Sequence, residues 1–315
     1  MRGFLFLFLF SISLMASGLP CHGNIYALSS FNGTSQDLEV LFSADGIAFN
    51  CEASPITYSG NGSVRDPSIM GPYNGKFWIV HTWNATGFAL TSSSDLATWS
   101  NTQVVPSGVA GVAGVWAPEW FIDADNSIHV LVAVATEACS FGSSNFQIYE
   151  FHPTASDLST WSAGTLITIT GLSDVIDPFM VNVGGTYYLW WKQSCSTGYI
   201  GYATSSTLTG TFTVVQSGNW AGWGAAEGPA LFYHGGSSWT LYWDLCPGGT
   251  CSISAGQIYY TNSTDNWVTW STPQPITSSV EIQQKQGTVI SYAPGSTGGS
   301  VLRGQGTLRG KATSH

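Results

Sequence analysis

Charge is scarce in this chain. Only 8% of its 315 residues are Asp, Glu, Lys or Arg, against about a quarter in an ordinary soluble domain. Basic side chains are the scarcest, 8 Lys and Arg against 18 Asp and Glu, for a formal net charge of -10. A nucleic-acid partner is excluded by that balance, because such proteins gather basic residues on one face. Helical periodicity is missing almost throughout, which excludes helical bundles and helical solenoids. Beyond the N-terminal segment no apolar run approaches the about 20 residues that cross a bilayer, so no membrane partner is expected. No His stands at zinc-ligand spacing from any Cys, and no metal site is assigned.

The N-terminus reads Met1-Arg2-Gly3 followed by FLFLFLFSISLM. One positive charge before about a dozen apolar residues is the pattern of a secretory signal, with cleavage among the small residues at about 18 to 23. Strict Phe/Leu alternation suits a helix face poorly. Residues 1–22 are therefore read as the signal, 23–295 as one domain, and the Gly-, Ser- and Thr-rich 296–315 as a poorly ordered tail. The destination is extracellular, where disulfides form. Cys246 and Cys251 flank Pro-Gly-Gly-Thr, a turn that brings them within bonding distance. Cys139 and Cys195 hold similar places in successive repeats and are a second candidate pair. Cys21 with Cys51 is the remainder, unless Cys21 leaves with the signal. Asn-X-Ser/Thr sequons stand at Asn32, Asn61, Asn84 and Asn262, as in a glycosylated secreted protein.

Four segments repeat with a period of about 50 to 60 residues. RDPSIM leads into KFWIVHTW and GFALTSSSDLATWS. WAPEWFID leads into SIHVLVAVATEAC and FQIYEFHPTASDLSTWS. IDPFMVNVGGTYYLWWKQSC leads into YIGYATSSTLTGTF, and EGPALFYHGGSSWTLYWDLC into QIYYTNSTDNWVTWS. Each has a Pro near its start (Pro67, Pro118, Pro178, Pro229), then a short apolar strand, a turn and an aromatic-rich strand. Short strands at this period point to an all-β, five-bladed β-propeller. A two-sheet sandwich fits the strand spacing but gives no reason for a Pro-centred motif in every unit. A fifth unit starts at GTVISYAP without outer strands of its own. NIYALSSF and LEVLFSADGIAFN, near the start of the chain, supply them, so the ring is expected to close by N-terminal strands joining the last blade and to leave no open edge.

The repeat heads carry Asp66, Ala117, Asp177 and, one residue out of phase, Glu227. In a propeller the innermost strands line a central channel, so these positions meet at one mouth. Gathering carboxylates there is costly, because like charges repel and burial strips hydration. Glycoside cleavage uses such a group: one acid protonates the leaving oxygen and a second carboxylate activates water or attacks the sugar. A third carboxylate nearby is expected to raise the pKa of the acid. Glu227, among small apolar neighbours in AAEGPAL, fits the acid. Asp66, beside Arg65, fits the ionised partner.

VRDPSIM, VWAPEWFID, VIDPFM and AEGPAL, in this order and spacing, resemble glycoside hydrolase family 43, over about Val64 to Val289. The resemblance implies inverting five-bladed propeller enzymes of arabinan, xylan and related chains. It implies Asp66 as general base, Glu227 as general acid and Asp177 as the residue that tunes and orients the acid. Relatives often carry His before Gly-Thr-Val in the last blade, where it helps hold a metal or water cluster. Here QQKQGTVI puts Gln286 in that place, so no cofactor is expected and calcium in the channel is a poor match. Invertase-like propellers match less well, since their Asn-Asp-Pro-Asn-Gly and Glu-Cys segments are missing. The substrate side is assigned to Trp83 and Trp116 as platforms for sugar faces, with His81 beside them. Trp191 and Trp243 are read as packing between blades, Glu119 as structural, and His129 and His234 receive no role. The expected partner is a neutral plant-type polysaccharide or oligosaccharide, and the expected state a monomer. An α-L-arabinofuranosidase or arabinanase is favoured over a β-xylosidase or galactanase. A sugar-binding propeller that has lost catalysis is the alternative of another class.

Overall fold

β-Branched and aromatic side chains fill runs such as KFWIVHTW and TYYLWWKQ, and these fit a pleated, half-buried surface. A computed structural model of the chain describes residues 21, 23–53, 58, 64–139, 144–195, 198–246, 249, 251, 257–278, 284–292 and 307–308. Among these residues there is no α-helix, and the regular elements are strands. Nearly all of the expected signal, the sequon at Asn61 and most of the expected tail lie outside the described residues.

The strands pair into antiparallel meanders that follow one another along the chain. The N-terminal strands β1 (Tyr26–Asn32), β2 (Leu38–Ser43) and β4 (Cys51–Glu52) pair in that order, and β3 (Ala48–Phe49) lies between the last two. Then come β5 (Arg65–Tyr73), β6 (Lys76–Asn84), β7 (Gly87–Ser93) and β8 (Gln103–Pro106) as the first complete meander. The second is β9 (Gly114–Ile122), β10 (Ile128–Ala135), β11 (Gln147–Phe151) and β12 (Thr165–Ile169). The third is β13 (Val175–Val183), β14 (Thr186–Gln193), β15 (Ile200–Ser205) and β16 (Thr211–Gln216). The fourth is β17 (Ala226–Gly235), β18 (Ser238–Leu245), β19 (Gln257–Ser263) and β20 (Gln274–Pro275).

After β21 (Thr277–Ser278), which pairs in parallel with β3, the strands β22 (Gln284–Lys285) and β23 (Val289–Ser291) both pair with β1. The two ends of the chain thus complete one sheet. Near the C-terminus β24 (Thr307–Leu308) pairs in parallel with β13.

Packing closes the ring. The described core falls into five apolar clusters, and each joins two neighbouring sheets. Trp190 from the third meander and Trp239, Trp243 and Trp267 from the fourth share one of them. Leu28, Phe49 and Val289 share another with Phe232 and Tyr242. Such stacking of small sheets around an axis is a β-propeller. A repeated turn marks the end of the third strand in three sheets. Ser43 donates to Asp45, Ser93 to Asp95 and Ser263 to Asp265. In each case the Asp accepts backbone N–H groups a few residues on. The charge-assisted bonds hold these three carboxyls below their usual range. The motif SAD in the N-terminal segment is therefore the same device as SSD and STD in the later repeats.

Disulfides join Cys21 to Cys51, Cys139 to Cys195, and Cys246 to Cys251. Cys21, the one Cys of the expected signal region, thus tethers the first strands. No helix among the described residues is long and apolar enough to cross a membrane.

Candidate active site

Each innermost strand breaks its register just before or at its Pro. The pairing slips between Arg65 and Ser68 on β5, between Ile176 and Phe179 on β13, and between Glu227 and Ala230 on β17. At the slip one residue takes a left-handed backbone: Asp66 (φ 52), Ala117 (φ 47), Asp177 (φ 53), Gly228 (φ 61) and, in the last sheet, Gln286 (φ 30). A bulge of this kind bends the strand and re-aims a side chain. Asp tolerates that conformation better than Ala does. Gly228 is required twice over, by its φ and by space, since a Cβ there would lie 2.6 Å from Cγ of Gln286. The equivalent of Asp66 and Asp177 in the fourth repeat is therefore Gly228, and Glu227 reaches the site from one position earlier.

One pocket, open to solvent, is lined by Asp66, Asp177, Glu227, Trp116, Arg65, Lys192, Lys285 and Gln286, among others. Asp66 is half-buried, and its Oδ2 accepts from Thr82 Oγ1 at 2.7 Å. The N–H of Ala117 donates to that same Thr82 oxygen at 2.8 Å, which leaves the hydroxyl proton to point at Asp66. Asp177 is buried, and its Oδ2 accepts from Gly228 N at 3.0 Å and from Gln286 Nε2 at 3.1 Å. Burial pushes the Asp177 carboxyl up to about 7, with Lys192 opposing and the charges of Glu227 and Asp66 adding to the rise.

Glu227 is held differently. Lys192 Nζ donates to its Oε2 at 2.9 Å, and Lys285 Nζ to its Oε1. Lys285 also stands 3.6 Å from Asp244 Oδ2, which accepts the backbone N–H of Gln286 at 3.0 Å. Burial pushes Glu227 up, but the two ammonium groups outweigh it and bring the carboxyl below its ordinary value. Asp244, fully buried, is pushed up to about 7 by burial against the pull of Lys285. The expectation that a neighbouring carboxylate lifts Glu227 is thus corrected. Asp177 and Asp244 are the lifted groups, because the lysines sit on Glu227.

The aromatic assignments divide. Trp116 lines the pocket, with its ring 4.5 Å from that of Phe146. Trp83 is half-buried, edge-on to His81 at 6.0 Å, and outside that lining. His81 is fully buried, and its two ring nitrogens are taken by the Thr82 carbonyl at 2.8 Å and the Tyr58 hydroxyl at 2.7 Å. Burial lowers it to about 4. The assignment of His81 to the substrate is corrected on that ground, since it has no ring nitrogen left for a sugar. Its bond to the Thr82 carbonyl helps fix the strand that carries Thr82. Trp191 and Trp243 are fully buried in the cores between sheets.

Four participants were missed in the sequence: Thr82, Lys192, Asp244 and Lys285. Lys192 carried a signal, an ammonium directly after the aromatic run of the strand TYYLWWKQ in a chain with 8 basic residues. A lysine is almost never fully buried unless paired.

Gln286 offers a calcium ion one side-chain oxygen, that of its amide. Its amide nitrogen is spent on Asp177 and its backbone N–H on Asp244. Glu119, also beside the axis, accepts from Thr288 Oγ1. Calcium takes six to eight oxygens.

A pocket in which one carboxyl is lifted to about 7 beside another held below its ordinary value is suited to acid–base chemistry. A protein-family model described as "Probable glycosyl hydrolase domain" matches residues 24–294. The chain belongs to this family, glycosyl hydrolases related to family 43.

A curated relative, arabinan endo-1,5-alpha-L-arabinosidase A of Aspergillus aculeatus, is 27% identical over 209 residues, 63% of this chain and 62% of that protein. The chain thus matches less than two thirds of that relative. Among solved structures, an endo-1,4-beta-xylanase from Bacteroides thetaiotaomicron superposes with a TM-score of 0.61 at 15% identity, covering 85% of this chain and 94% of that one. A thermostable family-43 glycoside hydrolase gives 0.58 at 18% identity, covering 82% and 92%. These two likenesses establish the fold.

Proposed function

We propose that the protein is a secreted, inverting glycoside hydrolase of neutral plant-type polysaccharide, of the arabinanase or α-L-arabinofuranosidase type. The observation that carries the reading is the convergence of Asp66, Asp177 and Glu227, from three repeats, on one pocket. The arabinan-degrading relative favours arabinan over xylan as the substrate. In this reading Asp66 takes a proton from the attacking water as the C1–O bond breaks. Glu227 delivers a proton to the leaving oxygen, and the proton is replaced from solvent after release. Thr82 steers Asp66 by occupying one of its oxygens. Both donors to Asp177 fall on Oδ2 and leave Oδ1 as the oxygen on which a proton would be carried. Inversion implies a carboxyl separation of about 6.5 to 9.5 Å between base and acid. Three disulfides and the N-terminal signal pattern support secretion, with cleavage before Cys21 so that its bond to Cys51 survives.

A second assignment of the proton donor has its own support: Asp177 is lifted to about 7 while the lysines hold Glu227 low. Glu227→Gln and Asp177→Asn, assayed on arabinan and on an aryl arabinoside with a good leaving group, separate the two. The variant that loses its acid should drop at least about a hundredfold on arabinan and far less on the aryl substrate. That pattern is expected for Glu227→Gln. Its appearance in Asp177→Asn instead would transfer the role. The anomer of the first-formed product, read by NMR, should be inverted. A wild-type protein that binds but does not cleave arabinan, arabinoxylan, xylan or galactan would leave only a sugar-binding propeller.

A further inference from the structure

On the second meander, away from the pocket, His129 on β10 faces His152, which directly follows β11. The register that sets Val130 opposite Phe151 and Leu131 opposite Glu150 puts His129, Glu150 and His152 on one face of the sheet. Both imidazoles turn Nδ1 to the same carboxylate oxygen. Glu150 Oε1 lies 2.7 Å from His129 Nδ1 and 3.1 Å from His152 Nδ1. The three ligand-type atoms all lie within 4.8 Å of one another. The Glu150 side chain is 3% exposed, and its ion-pair partners are these two rings. A carboxylate taken so far out of water needs a cation beside it.

We propose that His129, Glu150 and His152 form a binding site for a borderline divalent transition metal, zinc above all. Two imidazole nitrogens and one carboxylate oxygen are a zinc-type donor set, and too few oxygens for calcium. Zinc binds such atoms at about 2.0 to 2.2 Å, so the rings and carboxylate need only part slightly to admit it. The other nitrogen of His129, Nε2, is 2.8 Å from Ser127 Oγ. A metal-ligating His characteristically uses its second nitrogen in this way, which fixes the ring and its tautomer. Side-chain exposure rises from 3% at Glu150 to 12% at His129 and 48% at His152, so the metal enters from the His152 side and keeps a water there. The ion clips β10 to the end of β11. None of the three ligands lines the pocket, so the site is structural and independent of the hydrolytic reading.

The test titrates zinc chloride into EDTA-treated, full-length protein, with calorimetric and thermal-melting readouts. The expected result is one zinc per chain with a Kd of about 10 μM or tighter, and a Tm that rises with free zinc. His152→Ala, at a half-exposed position that the fold does not need, should weaken binding at least about tenfold and abolish the Tm rise. Ser127→Ala should weaken it about tenfold through the lost orientation of His129. Sugar cleavage should be the same with EDTA, with zinc and in His152→Ala. No zinc bound below about 1 mM, or a bound zinc indifferent to His152→Ala and Ser127→Ala, overturns the proposal.

Discussion

Between the third and fourth sheets the contacts are Phe179, Trp190, Leu241 and Trp239, all essentially without exposure, with ordinary strand pairing on either side. Two residues before Phe179 and three before Ala230, the same strands carry Asp177 and Glu227 on a slipped register with left-handed residues and buried charge. The two regions share backbone but not rules. In the cores, apolar area leaves water and each large ring fills space left by its neighbours. At the mouth, local strain of order 1–3 kcal/mol per residue and like charges are held in place by that surrounding packing. A propeller can afford such a mouth because each strained head is followed by a strand anchored in two cores.

Substitutions can pull the two regions apart. The largest effect is expected in the core. Trp239→Ala removes a fully buried indole packed against Tyr233 and Trp267, and should cost about 3–5 kcal/mol of stability in denaturant titration. Below its melting temperature the variant should keep the pH profile of sugar cleavage. A changed profile would mean that packing and site are not separable.

The mouth should show itself in the pH dependence of stability. Asp177 and Asp244 bind their protons more tightly in the fold, up to about 7 from an ordinary 3.8. Their contribution is therefore present on the acid side and is lost as pH rises towards 7. Glu227 works in the other sense: its carboxyl is depressed in the fold, so its contribution is complete above its ordinary value and lost only at lower pH. Tm should thus decline between about pH 5 and pH 8. Asp244→Asn, which removes one of the lifted carboxyls, should flatten the decline. Scanning calorimetry across that range decides it, and an Asp244→Asn curve parallel to wild type would place the effect elsewhere.

The smallest effect concerns strain alone. Ala117, at φ 47, occupies the position that the other sheets fill with Asp66, Asp177, Gly228 and Gln286. Ala117→Gly should stabilise by about 1 kcal/mol, less the extra freedom it gives the unfolded chain. Thermal melts at matched pH would detect it, and a destabilised variant would argue that the Ala117 methyl packs better than its backbone suggests.

The repeat was legible because four segments share the same punctuation: a Pro near the head, a short apolar strand, a turn and an aromatic-rich second strand. Those features are local, and they located Asp66, Asp177 and Glu227 without coordinates. The phase error at Glu227 was visible too, and its cause, the need for Gly at the left-handed position 228, lies in backbone geometry. Trp83 and His81 were drawn to the site by their place at the end of a strand, but which way that end faces depends on the neighbouring sheet.

By itself the sequence determined the class of fold, the joining of both chain ends in one sheet and the three carboxylates, because strand period, turn chemistry and the rarity of charge are properties of the chain. Only the tertiary structure decided the protonation pattern, in which Lys192 and Lys285 hold Glu227 while Asp177 and Asp244 rise. Residues as far as 109 positions apart meet there, and the sign of each shift depends on angstrom-scale distances and on burial, neither of which is written in the order of residues.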